Sequence, residues 1–338
     1  MDPMLTADGR LFTLSARPLK KRRTGGTRQA VALACGVALI SIACQEKAID
    51  RPQSAQNVRQ EERLLAALRG MEWLIEHAQE MPPGWVYPNL SRLNRLTDSE
   101  EHQREIREIL EADLRKGQHK AIPEDLTNPA LLQQGRIVPI LFEVLRRREI
   151  GLAWKSEADA LHTLIANHEV DLWETTNLRN KPAVLHALAS LEIKTAMTED
   201  RLVDELRQKA ASETAQNLAG STRYIYALTH IIFARSHYFK NQVDPEGLEF
   251  TIPIFLTALG RHAQNRMGVM EIDMVGEVLA SLELLGLKNP RMEVARRRLV
   301  AAQNPDGSWG AGNGVTPKRI HPTFNAVAGL INFHSALE

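Results

Sequence analysis

RRRLVAAQNPDGSWGAGNGVTPKRIHPTFNAVAGL, residues 296–330, carries the clearest local instructions in the chain. An apolar helical segment ends at Gln303. Pro305, Asp306 and Gly307 then form a turn signal: proline presets φ, aspartate bonds to nearby backbone, and glycine accepts positive φ. Trp309 and a glycine-rich loop follow, and the pair His321-Pro322 opens another apolar helix. The pattern predicts helix, structured turn, helix, with a polar residue at the entrance of the second helix. It points to a fold of packed helix pairs.

Upstream of this stretch the helical period dominates from Arg59 onward. Leu64, Leu65, Leu68, Met71, Trp73, Leu74 and Ile75 recur at three-and-four spacing and predict one apolar face. MPPGWVYPN, residues 81–89, breaks that helix. Further helices are expected over residues 100–116 and from Asn128-Pro129 to the arginine triplet at 146–148. Others are expected over 156–168, 181–191, 199–218, 222–239, 250–265, 270–285, 290–303 and 321–336. Ser156, Thr198 and Asn289 are expected N-caps, the last followed by Pro290 at a position that suits a first helical residue. No alternating strand pattern is evident. The expected class is all-α, with one domain over residues 59–338.

The N-terminus reads differently. Lys20, Lys21, Arg22, Arg23 and Arg28 form a basic block, followed by an apolar run over residues 30–43 that stops at Cys44. That is the layout of a secretory signal, with an uncleaved apolar anchor as the alternative, and the run is shorter than the roughly 20 residues needed to span a bilayer as a helix. The ending Ser41-Ile42-Ala43-Cys44 resembles a bacterial lipobox, with Ser41 where that family usually has an apolar residue. The resemblance implies acylation of Cys44 and a lipid-anchored protein of the bacterial cell envelope facing the periplasm, with residues 45–58 as a flexible tether. Cys35 and Cys44 are the only cysteines, so a chain starting at Cys44 has no internal disulfide and no thiolate chemistry beyond its first residue. Residues 1–44 hold seven of the 42 Lys/Arg and two of the 41 Asp/Glu. The remainder therefore carries 35 against 39, net −4. That balance, without a basic tract, argues against nucleic acid as a partner; the expected partners are the membrane and a small-molecule or peptide ligand.

Leu299, Gln303, Gly307 and Trp309, as L-x3-Q-x3-G-x-W, resemble the glutamine-tryptophan motif of triterpene cyclases. That resemblance implies an α/α toroid, in which helix pairs form concentric rings around a cavity. The DxDD cluster that protonates polyprenes in those cyclases is absent, as are the cysteines of the zinc-dependent toroid enzymes. A poorly characterised bacterial branch of toroid proteins shares Thr229-His230-Ile231-Ile232-Phe233, Asp273-Met274-Val275-Gly276-Glu277 and a late histidine, here His321. This likeness covers roughly residues 220–335 and brings no reaction with it.

The candidate site residues follow from helical spacing. Tyr226 and His230 are four apart, as are Asp273 and Glu277, so each pair shares a helix face. His237, seven beyond His230, falls near the same face, although Arg235, Ser236 and Lys240 suggest an exposed helix end. In a toroid these residues and His321 would converge on the cavity. Tyr226, His230, Asp273, Glu277 and His321 are therefore the expected catalytic set. His230, Glu277 and His321 are the expected ligands of a divalent metal such as iron or copper, since two imidazoles and a carboxylate suffice. A metal-free acid–base pair is equally open. So are plain structural roles: His230 bonded to a backbone carbonyl, Asp273 as a helix cap, His321 as an N-cap substitute. A second polar cluster at residues 171–188 includes Glu174, Asn177, Arg179, Asn180 and His186. It would suit a polysaccharide lyase or glycosidase, or reduce to a loop with caps at Thr176 and Asn180. A non-catalytic envelope binding protein completes the alternatives.

Overall fold

The computed structural model describes residues 53–331 apart from 83, 116–121, 134–135 and 263–267. The expected signal segment, Cys44 and residues 45–52 lie outside the described residues. Fifteen α-helices and no strand occur among those described. They are α1 (Gln53–Glu76), α2 (Val86–Leu96), α3 (Glu100–Arg115), α4 (Ala130–Gln133), α5 (Ile137–Glu149), α6 (Lys155–Asn167), α7 (Glu169–Thr175), α8 (Lys181–Ser190), α9 (Glu199–Ser212), α10 (Ala215–Leu218), α11 (Thr222–Arg235), α12 (Thr251–His262), α13 (Val269–Leu284), α14 (Pro290–Ala301) and α15 (Pro317–Leu330). None is long and apolar enough to cross a membrane.

Several boundaries differ from the sequence reading, each for a physical reason. Helix α1 starts at Gln53, inside the expected tether. Its buried face runs through Ala66, Ala67, Met71, Trp73, Leu74 and Ile75, while Leu64, Leu65 and Leu68 are exposed. Small residues face the neighbouring helices here, so close approach replaces the leucine stripe. Within the expected break at 81–89, helix α2 already begins at Val86; Pro88 stands in its first turn, where a missing N–H has no intrahelical partner to lose. The 199–218 segment splits at Thr214, whose hydroxyl caps α10 by accepting from the Asn217 N–H. Thr198 and Asn289 cap α9 and α14 as expected, but Ser156 lies inside α6 and bonds to Glu157 instead.

Helix α11 stops at Arg235 rather than continuing to Phe239. His237, Tyr238 and Phe239 all adopt positive φ, of 50°, 54° and 73°, an unfavourable conformation for residues with a Cβ. External bonds hold them there. Ser236 Oγ accepts from the Phe239 N–H, and Arg95 donates to the carbonyls of His237 and Tyr238. Helix α15 begins at Pro317, so His321 is not its entrance but sits one turn in, with Pro322 inside the helix.

The Gln303–Trp309 turn ties three helices together. Gln303 Nε2 donates to Ala66 O of α1 and to Gly307 O, both at 2.8 Å. Trp309 is fully buried; its Nε1 donates to Leu299 O of α14 at 2.7 Å, and its backbone N–H donates to Thr323 Oγ1 of α15 at 2.8 Å. Gly70 makes room for the indole, since a Cβ there would stand 2.5 Å from the ring. Arg319 bonds to Asp306 and Ser308 and lays its guanidinium over Trp73.

Two apolar cores result, a smaller one within residues 126–193 and a larger one from the remaining helices together with Leu185 of α8. Helix α13 packs against α15 and α11, α11 against α8, α8 against α5, and α15 against α2. Between α2 and α5 the link is polar: Tyr87 donates to Glu149 at 2.8 Å, and Arg95 pairs with Glu149 at 3.5 Å. The α13–α15 crossing is the tightest. A Cβ on Gly276 would overlap the Asn325 carbonyl and stand 2.9 Å from Ala326 N, and one on Gly329 would stand 2.8 Å from Gly276 O.

Candidate functional site

That glycine crossing brings two polar helix faces into register. Asp273 and Glu277 flank Gly276 on α13, while His321 and Asn325, also four apart, face them from α15. Helix α11 adds Tyr226, Thr229 and His230. Burial of carboxylates demands partners, and both acids have them. Asp273 accepts from Tyr226 through one oxygen, and from His321 Nδ1 and Asn325 Nδ2 (2.7 Å) through the other. Glu277, 2% exposed, accepts from Thr229 Oγ1 at 2.6 Å and from Asn325 Nδ2 at 3.2 Å.

Each imidazole has one nitrogen engaged. His230 Nδ1 donates to the carbonyl of Arg179 at 2.7 Å, while its Nε2 faces Glu277 Oε2 at 3.8 Å. Because Asp273 only accepts, His321 Nδ1 carries the proton between them, leaving Nε2 as the free nitrogen. Burial works against both charges in the Asp273–His321 pair. The mutual hydrogen bond and attraction prevail, holding the carboxyl below and the imidazole above their ordinary ranges. Tyr226 is driven far up, by burial first and then by the two carboxylates, so it stays a donor.

All five expected catalytic residues thus gather in one cluster. Asp273 is not a helix cap, since α13 begins at Val269. His230 combines the structural role and the functional one: a carbonyl partner on one nitrogen, a carboxylate facing the other. Asn325 and Thr229 were not singled out by sequence reasoning. The four-residue step from His321 could have pointed to Asn325, and Thr229 adjoins His230 in the motif already noted.

Glu277, His230, His321 and Asn325 line a cavity of about 400 Å³. Its walls include Arg92 and Arg95 from α2, Phe142 and Arg146 from α5, His186 from α8, and Tyr238 and Phe239 from the left-handed turn. The second polar cluster dissolves as a unit. Asn180 and His186 line the cavity, but Glu174 and Asn177 are exposed and do not. Asn180 precedes α8 without a side-chain capping bond, and the buried hydroxyl of Thr176 has no partner among the described residues. His237 is exposed, its ring 5.8 Å from that of His186.

His186 stacks edge-on against Tyr238, with ring centroids 5.0 Å apart. Burial, aided by His237, Arg92 and Arg95 and opposed by Glu149, depresses its pKa to about 4. The unfolded chain takes up this proton near the ordinary value of about 6.5, before the folded chain does. Stability is therefore full above that value and falls as the pH drops from about 6.5 to 4, by at most about 3 kcal/mol. Urea midpoints at pH 7.5 and 4.5 should fall less in His186→Gln than in the parent; equal losses would remove His186 as the cause.

A family model described as a domain of unknown function (DUF6895) matches residues 69–322, three quarters of the chain and the whole polar cluster except Asn325. No curated protein and no solved structure matches.

Proposed function

The chain belongs to the DUF6895 family of domains of unknown function, and we propose that it is an enzyme built on a mononuclear divalent metal centre, held by His230, Glu277 and His321. One observation carries this reading: each of the three side chains is fixed by a hydrogen-bond partner, lines the cavity and retains a lone pair that an ion could use. His230 is held by the Arg179 carbonyl, His321 by Asp273, and Glu277 by Thr229 and Asn325. Imidazoles that bind metal characteristically donate their other N–H to a carboxylate or a backbone carbonyl, which fixes the tautomer and the ring. The 3.8 Å between His230 Nε2 and Glu277 Oε2 suits two ligands of one ion.

Ligand atoms of Asp273, Glu277 and His321 also lie within 4.8 Å of one another. We assign Asp273 to orienting His321 instead, because it accepts from His321 Nδ1 and does not line the cavity, whereas Glu277 does. Two imidazoles and one carboxylate leave coordination positions open and suit ferrous iron, with copper or zinc as alternatives. When bound, such an ion would polarise a substrate oxygen or activate water. The chain's own part is to hold the ligands, to keep Tyr226 as a donor, and to line the cavity with apolar side chains.

We read α2, α5, α8, α11, α13 and α15 as the inner helices of an α/α toroid. In support, each contributes to the cavity lining, and successive members touch, with Tyr87 and Glu149 joining α2 to α5.

The contact between Asp273 and His321 Nδ1 favours one other reading, a metal-free general base at His321 Nε2. Metal analysis separates the two. After loading with Fe(II), Cu(II) or Zn(II) and desalting, the protein should retain about one ion per chain, a two-His, one-carboxylate stoichiometry. His230→Ala and His321→Ala should each retain far less while keeping helical circular dichroism. Full retention in both variants, or none in the parent, would end the metal reading; none in the parent would leave the acid–base pair.

A further inference from the structure

Arg92, Arg95 and Arg146 place three cations on the cavity wall, and one of them has no ion pair among the described residues. Arg95 pairs with Glu149 and bonds to two carbonyls, and Arg146 pairs with Glu143 at 2.9 Å. Arg92 has no carboxylate partner among the described residues. Its guanidinium lies over the ring of Tyr238, 4.2 Å from the centroid, and lines the cavity. Stacking occupies the face of a guanidinium and leaves the N–H edge donors in its plane available. The three-residue left-handed turn that places Tyr238 under Arg92 is itself pinned by Arg95, so this platform is built rather than incidental.

A half-buried cation without a paired carboxylate is unfavourable. Burial and the neighbouring Arg95 weaken the hold of Arg92 on its proton by more than Tyr238, Glu277 and Glu149 strengthen it. A bound anion would relieve that. The rest of the lining selects the body of the ligand: Phe142, Phe233, Phe239 and Phe324 present apolar surface to the same cavity. Arg92 and Glu277 line the same cavity, so one small molecule can reach both. A cavity of about 400 Å³ lies in the range of small-ligand sites.

We propose that the cavity binds an organic carboxylate with an apolar body, its carboxylate forked on the N–H edge of Arg92 and its other end directed at His230, Glu277 and His321. The proposal names the substrate class of the metal reading and rests on the same cavity, but Arg92 recognition does not need the ion. A fork of this kind is charge-assisted and bidentate.

Calorimetric titration of the full chain tests it, with decanoate and 3-phenylpropanoate against decanol and 3-phenylpropanol. Chelator-treated protein is used, so that carboxylate–metal bonding cannot contribute. At least one acid should bind roughly ten- to a hundred-fold more tightly than its alcohol, and Arg92→Gln should erase that preference. Arg92→Lys, which keeps the charge but loses the fork, should fall between; it serves as the readout if Arg92→Gln does not fold. No binding by either acid, equal binding of acid and alcohol, or an undiminished preference in the Arg92 variants would overturn the proposal. A parent that binds acids through Arg92 but retains no ion would instead overturn the metal reading and leave this one standing.

Discussion

Gly276→Ala should destabilise the protein by about 3 kcal/mol or more and abolish ion retention, although alanine is the better helix former by about 1 kcal/mol. The reason is local. A methyl at 276 would overlap the backbone carbonyl of Asn325, and Ala326 N would stand 2.9 Å away. A flexible side chain can swing aside; a helix backbone moves only as a unit. Helix α15 would have to retreat from α13, carrying His321 and Asn325 away from Asp273 and Glu277. Gly329→Ala, meeting the carbonyl of Gly276 at 2.8 Å, should act in the same direction. Gly260→Ala in α12 supplies the control, because nothing lies within 4 Å of its new methyl; it should be neutral or gain up to about 1 kcal/mol. Urea unfolding and metal analysis on the three variants give the answer. A Gly276→Ala protein as stable as Gly260→Ala would mean that the crossing is not as close as described.

This crossing also marks how far the sequence could be read. Helical spacing placed Tyr226 with His230 and Asp273 with Glu277, because i and i+4 neighbours are a property of one helix. Thr198 and Asn289 announced their caps for the same local reason. The turn between Gln303 and Trp309 was legible because glycine, aspartate and proline state their backbone geometry directly. What a helix faces is set by its neighbours, and there the reading thins. Leu64, Leu65 and Leu68 match an apolar stripe in period, yet α1 buries Ala66, Ala67 and Gly70 because Trp309 and α15 need that space. The stop at Arg235 depends on Arg95, more than a hundred residues earlier, holding the carbonyls of a strained turn. Arg92 was not singled out, because its platform is Tyr238, far away in sequence. Gly276 stood in a noted motif, but nothing in its own helix says which backbone it admits.

Asp273→Ala should cost about 3 kcal/mol and weaken metal affinity by roughly ten- to a hundred-fold. The two losses have different origins. The stability loss comes from orphaned partners: Tyr226, Asn325 and His321 all donate to this one carboxylate, and a buried donor left without its acceptor pays its full desolvation. The affinity loss comes from orientation, since among the described residues only Asp273 accepts from His321 Nδ1, and without it the ring is free to turn. Asp273→Asn separates the two effects. It keeps the volume and one acceptor oxygen, so Tyr226 stays bonded and much of the stability returns. It lacks the charge and the second acceptor, so His321 is held less firmly and affinity still falls. The same pair of variants decides how Asp273 serves the ion. If Asp273 orients His321, Asp273→Asn weakens binding while His230→Ala abolishes it. If Asp273→Asn abolishes retention and His230→Ala leaves it whole, the ligand set is Asp273, Glu277 and His321, and His230 only braces Glu277 from the side of Arg179.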